Sequence, residues 1–265
     1  MRGEFLLAEK TYLRAIALDP DLAAPHDDLG LLYASQGRLG AAVEQFRKAL
    51  AIRPDAASTH SNLGLAFARQ DSYALAIPAY EHAIRLDPGL ADARYNLGLA
   101  YTEERRFEEA LAQHAEAVRL NPSFARAYYQ MGRVHTHRLE YGKARGFYQK
   151  ALSLDPRLAD AHYGLGWVEG EQGDVERAIA SYREAIRLNP RHVHALYRLG
   201  LVYTATGRRE EAVAALESAV RADSAYVKAH YSLGQAYLKL GRRAEALREL
   251  GRAGKVREAR GKLDE

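Results

Sequence analysis

The amino-acid sequence predicts an all-α solenoid, a stack of antiparallel helix pairs, and three observations carry that prediction. Proline stands at Pro20, Pro54, Pro88, Pro122, Pro156 and Pro190, each 34 residues after the last, and Ser224 fills the next slot. Three small-residue columns keep the same step: Gly30 through Gly234, Ala42 through Ala246 and Ala49 through Ala253, with seven matches in each. Within each period the apolar residues recur at the three-and-four spacing of one buried helix face, as at Leu97, Gly98 and Tyr101, then Ala110, His114, Ala117 and Val118. A fixed period of this length is the signature of a repeat architecture whose units bury their cores against their neighbours.

Taken in order, residues 3–22 form the first element: "GEFLLAEKTYLRAIALDP" has its apolar side chains at Phe5, Leu6, Tyr12, Leu13 and Ile16 and closes on Asp19-Pro20. Its Phe5, Ala8, Tyr12, Ala15 and Pro20 lie one period before Leu39, Ala42, Phe46, Ala49 and Pro54. It is therefore the second helix of a repeat whose first helix is missing, and its unmodified apolar face is expected of a fragment rather than a polar cap. Seven full repeats are expected over residues 23–256, starting at Ala23, Ala57, Ala91, Ala125, Ala159, Val193 and Val227, followed by a charged tail at 257–265. In each repeat the Gly and Ala columns let the two helices approach closely, and the residue before each Gly fills the seam beside Tyr33, Phe67, Tyr101, Tyr203 and Tyr237. Asp or Asn before the proline slot ends the second helix and turns the chain. Gly37, Gly173, Gly207 and Gly241 mark turns inside repeats. Pro78 falls inside a second helix, where its missing N–H predicts a kink or local break over 74–78.

Composition narrows the function. The chain has 265 residues, of which 48% are apolar, enough for an extended core. It has no cysteine, which excludes disulfides, thiolate metal sites and a cysteine nucleophile. Its 38 basic and 34 acidic residues are interspersed, so the net charge of +4 describes a solvated surface and not a nucleic-acid stripe. No apolar run reaches the roughly 18 residues of a membrane span and no export signal is visible, so a cytoplasmic protein with no membrane contact is expected. The histidine pairs His135/His137 and His192/His194 are two apart, which on a helix throws the rings to opposite sides, so no metal is expected. Phosphate loops, nucleophile elbows and paired catalytic carboxylates are absent, which predicts a chain with no cofactor and no bond-making chemistry.

The Leu-Gly, Tyr, Ala, aromatic, Ala and Pro columns, as in "NLGLAYTEERRFEEALAQHAEAVRLNP" from Asn96, resemble the tetratricopeptide repeat family over nearly the whole chain. The resemblance implies a right-handed superhelix whose first helices line a concave groove for partner peptides. Two features depart from the family pattern. The frequent tryptophan four residues before Gly is replaced by His26, His60, Arg94, Tyr128, His162, Leu196 and His230, and the seam aromatic is His135 in the fourth repeat and Glu169 in the fifth.

Turning each first helix by 100° per residue puts the residues six, three and two before Gly, and one and five after it, on the face away from the seam. Two before Gly, Asn62, Asn96 and Gln130 follow Asp28, and the series continues with Gly164, Arg198 and Ser232. Asn62 and Asn96 resemble the asparagine ladder in the repeat region of O-linked N-acetylglucosamine transferases, where amides hold a peptide backbone; an amide both donates and accepts. Three before Gly stand Tyr95, Tyr129, Tyr163, Tyr197 and Tyr231, each a rigid contact surface with a polar tip or a packing element between repeats. Trp167, the sole tryptophan, is the best single anchor for a partner. Toward the C-terminus His194, Arg198, Lys228 and Lys239 gather on the face, the first three placed to meet an anion. The lysine and asparagine of a two-carboxylate clamp are missing from their slots, so chaperone C-termini are not expected partners.

The expected function is a protein-interaction scaffold that binds an extended peptide or partner helix in its groove. The alternative is the substrate-recognition region of a larger enzyme such as a protein O-glycosyltransferase. Self-association as a homodimer through the uncovered face of the first helix is a further expectation.

Overall fold

The computed structural model describes residues 2–261, with side chains from 4 to 255. Fifteen α-helices and no strand occur among the described residues: α1 (Arg2–Leu18), α2 (Ala23–Ser35), α3 (Leu39–Ile52), α4 (Ala57–Ala68), α5 (Tyr73–Leu86), α6 (Ala91–Glu103), α7 (Phe107–Leu120), α8 (Ala125–His137), α9 (Tyr141–Leu154), α10 (Ala159–Glu171), α11 (Val175–Leu188), α12 (Val193–Ala205), α13 (Arg209–Ala222), α14 (Val227–Lys239) and α15 (Arg243–Gly261). The chain divides into two compact halves, Met1–Val134 and His135–Glu265. In the first half each helix packs on the next, from α1 through α7, and the first helices α2, α4 and α6 also touch one another. In the second half the same holds from α9 to α15, with α10, α12 and α14 side by side. Each half is thus an all-α solenoid with a continuous layer of first helices.

The seams follow from size. A Cβ added at Gly30 would lie 2.6 Å from the Phe46 ring, at Gly64 2.8 Å from Tyr80, at Gly98 2.5 Å from His114 and at Gly200 2.6 Å from Leu216. Each of these glycines is therefore the floor on which the large residue sixteen positions later rests. The Ala column beside it, Ala42 through Ala246, is buried at every repeat. Where the seam aromatic is lost, the replacement is partnered: His135 is 2.6 Å from Glu140 and stacks on Phe147 at 5.2 Å, and Glu169 accepts a hydrogen bond from Ser181 at 2.7 Å.

Turns are held by side chains. At every proline slot but Pro54, which follows Arg53, the preceding Asp or Asn accepts the backbone N–H two residues on, as in Asp87 with Gly89 at 2.9 Å and Asp223 with Ala225 at 2.8 Å. His60, Arg94, His162 and His230, in the slot where the family often carries tryptophan, each reach back six residues and donate to the carbonyl of Pro54, Pro88, Pro156 and Ser224. Within repeats, Arg38, Arg106, Arg208 and Arg242 send the backbone N–H to the carbonyl of Tyr33, Tyr101, Tyr203 and Tyr237 and lay the guanidinium 4.0–4.4 Å from the same ring.

Of the kink or local break expected at Pro78, the break does not occur: α5 runs unbroken from Tyr73 to Leu86 with the proline inside it. Pro78 and Ala74 both face solvent, so water can satisfy the Ala74 carbonyl that the missing N–H leaves unpaired. α15 differs from the other second helices. It has 19 residues where α3 to α13 have 14, and its proline slot, Glu258, lies within the helix. No described helix is long and apolar enough to cross a membrane.

Candidate functional site

On the inner face of the first half, the slot one residue after Gly carries leucine. Leu31 and Leu65 are 44% and 42% exposed, a large apolar presence for a face that water reaches. Leu65 and Leu99 floor a recess of about 340 Å³ whose polar walls are Arg69, Asn96, Glu103, Gln130 and Arg133. These residues come from three consecutive first helices, at the slots one and five after Gly and two before it. The structure therefore brings Asn96 and Gln130 together on one surface, while Asn62 stands half-buried outside the recess. Gln130 is mostly buried, and its amide is already engaged: it accepts from Arg133 at 3.0 Å and donates to the Tyr95 hydroxyl at 3.5 Å. In the fifth repeat the ladder is interrupted because the Tyr148 ring lies 2.6 Å from where a Cβ on Gly164 would go. The leucine column was missed among the candidate residues of the sequence, although its slot was correctly turned toward this face.

On the second half the same slots change chemistry. Trp167 donates to Glu171 at 3.1 Å, lies 6.4 Å from Tyr163 ring to ring, and carries the Arg198 guanidinium 4.9 Å from its own ring. Tyr163 is flanked by His192 and His194 at 5.0 and 6.1 Å. Burial holds the His194 pKa below its usual value, helped by the nearby charges of His192, Arg198 and Lys228. Arg198 in turn opposes the rise that burial imposes on the Tyr163 phenol. His194, Arg198 and Lys228 thus share one electrostatic neighbourhood, whereas Lys239 lines a separate recess with Thr204 and Arg209. No group of three or more His, Asp or Glu side chains placed to hold a metal ion occurs among the described residues.

The tyrosine column has a packing role that recurs. Tyr95 meets Phe124 at 4.9 Å, Tyr163 meets His192 at 5.0 Å and Tyr197 meets Tyr226 at 5.2 Å, each partner standing 29 residues on in the turn before the next first helix. Tyr129 is half-buried. Tyr231 differs: residue 260 lies inside α15 and not in a turn, and Tyr231 is 56% exposed. Its ring borders a recess of about 490 Å³ lined by Tyr197, Val227, Lys228, Leu250 and Ala253.

Comparisons with known proteins agree with this architecture. Models of the tetratricopeptide repeat match residues 30–71, 61–118, 123–191, 163–226 and 204–259. The solved structure of YrrB, described as a TPR protein with an unusual peptide-binding site, is 26% identical with a TM-score of 0.58, over 71% of this chain and 96% of its own. MamA is 26% identical with a TM-score of 0.56, covering 63% of this chain and 97% of its own. PilF of Pseudomonas aeruginosa, 22% identical over 78% of this chain and 94% of its own, has a TM-score of 0.69 and shares the fold. No curated protein matches the sequence. With its 34-residue period, its Gly-floored seams and repeat models matching from residue 30 to 259, the chain belongs to the tetratricopeptide repeat family.

Proposed function

We propose that this protein-interaction scaffold binds an extended peptide along the inner face of its first helices. The observation that carries the reading is the slot one residue after Gly, where exposed Leu31 and Leu65 and half-buried Leu99 in the first half, and half-buried Trp167 in the second, offer apolar anchors beside amide and charged side chains. Apolar anchors ringed by polar groups are how interfaces gain affinity and register together. In the first half Asn62 and Asn96 hold the peptide backbone, and Leu65 and Leu99 take its side chains. In the second half Trp167 is the anchor, with Arg198 and Lys228 as cationic neighbours; Tyr95, Tyr129, Tyr163 and Tyr197 shape the surface while packing the repeats. The test is capture of partners from a cell lysate by the wild type and by an Asn62→Ala, Asn96→Ala, Trp167→Ala variant with unchanged circular dichroism. Partners lost with the variant support the inner face, and partners retained equally overturn it.

Self-association through α1 is a second reading, favoured by the exposure of Phe5, Leu6, Leu7 and Leu13 while Tyr12 and Ile16 pack into the core. Sedimentation equilibrium of the wild type and Leu6→Glu tests it: a dimer that the variant abolishes is expected, and a monomer throughout refutes it. The ladder that suggested an enzyme's recognition region narrows to Asn62 and Asn96, with Gln130 engaged and Gly164 covered.

A further inference from the structure

The repeats contain their own template for what the last tyrosine of the column can bind. In three places a tyrosine three residues before Gly is covered by a ring from the following turn, at centroid distances of 4.9, 5.0 and 5.2 Å. Two of the pairs are tilted and the third is edge-on, all at centroid distances favoured by aromatic rings. At Tyr231 the pattern stops, because α15 continues through Glu258 where the other second helices give way to a turn. What is left is an apolar recess of about 490 Å³, with Tyr197, Val227, Leu250 and Ala253 as walls, Tyr231 open on one side and Lys228 at the rim. That volume accommodates a single aromatic side chain with room for its backbone.

The charge at the rim selects the rest of the ligand. Lys228 is exposed and has no ion-pair partner among the described residues. A carboxylate beside the incoming ring would find in Lys228 a cation that no carboxylate among the described residues holds in an ion pair.

We infer that this recess binds a partner peptide through an aromatic side chain flanked by a carboxylate, the ring docking on Tyr231 as Phe124 docks on Tyr95. The site lies at α14 and α15 and shares Lys228 with the inner-face reading, but its ring contact at Tyr231 stands or falls separately from binding along the Leu and Trp167 column.

The probe is the peptide acetyl-Gly-Asp-Phe-Glu-Gly-amide, titrated into the isotopically labelled full chain and followed by NMR. Saturable shifts centred on Val227, Tyr231 and Ala253 are expected. Replacing the probe's phenylalanine by leucine, or making the Tyr231→Ala variant, weakens binding about three- to tenfold, the worth of one ring pair. Lys228→Glu, an exposed change that leaves the fold intact, weakens the acidic probe but not its Asn/Gln counterpart. The Asn96→Ala, Trp167→Ala variant binds the probe as the wild type does. Equal affinity for the phenylalanine and leucine probes, indifference to Tyr231→Ala and Lys228→Glu, or loss of binding in the Asn96→Ala, Trp167→Ala variant would each overturn the proposal. So would a concentration-dependent rise in mass that shields Tyr231 without probe, since a second copy would then fill the recess.

Discussion

The seams between paired helices and the inner face of the first helices are made by the same elements, yet they differ in how much they vary from repeat to repeat. Every described seam sets a large side chain on a glycine with Ala buried beside it, whether the large residue is Phe46, Tyr80, Tyr182 or Leu216. The inner face passes from Leu31, Leu65 and Leu99 to Arg133 and Trp167 at one slot, and from Asn96 to Gly164 and Arg198 at another. The contrast teaches that close approach fixes the seam, while most of the outward slots are free of that constraint and vary in chemistry. Seam substitutions should therefore cost stability, and inner-face substitutions should cost binding.

The largest expected effect tests the seam directly. Tyr182 is almost fully buried over Gly166, and Tyr182→Ala should destabilise by about 3–5 kcal/mol, as truncating a buried aromatic does. Urea unfolding measures it; a loss below about 1 kcal/mol would break the comparison.

His114 sharpens it. This ring occupies the same slot as Phe46, Tyr80 and Tyr182, is completely buried over Gly98, and neither of its nitrogens finds a hydrogen-bond partner. Burial, aided by the Arg133 charge, lowers its pKa from 6.5 to about 4. The folded state therefore resists a proton that the unfolded chain accepts. Stability is intact above pH 6.5, falls as the pH drops toward about 4, and levels off below, by about 3 kcal/mol in all. His114→Phe should raise stability and remove this part of the pH dependence. Denaturation curves of both proteins at pH 7 and pH 4 check it, and parallel losses in the two would show that the ring is not the cause.

The smallest effect extends the contrast to the turns. Gly37, Gly173, Gly207 and Gly241 hold φ of 74–82°, and Leu139 takes φ 60° in the same slot with its side chain 70% exposed. A branched residue pays sterically in this left-handed region, so Leu139→Gly should stabilise by about 1 kcal/mol. A melting temperature that falls would mean the leucine makes a contact that outweighs its strain.

Much of the scaffold was legible because the determinants repeat. A Gly, an Ala and a proline at constant spacing reveal a helix pair without reference to its neighbours, and the helical turn angle placed Leu65, Leu99 and Asn96 on one face. What stayed hidden depends on relations between repeats. Tyr95, Tyr163 and Tyr197 sit at the border between face and inter-repeat contact, and only the ring 29 residues on reveals their packing. Gln130 occupies a ladder slot, but Arg133 and Tyr95 claim its amide. The break expected at Pro78 did not occur because the carbonyl it orphans is exposed to water, a fact of surroundings and not of the residue itself.

The rings that pass between consecutive repeats also bear on how the scaffold comes apart. Because Phe124 covers Tyr95, and Tyr226 covers Tyr197, the melting of one repeat uncovers an aromatic surface on the repeat before it. Stability in such an array is a chain of nearest-neighbour couplings. Within each half, loss of order should then spread from repeat to adjoining repeat like a row of falling tiles, with each one held upright by its neighbours.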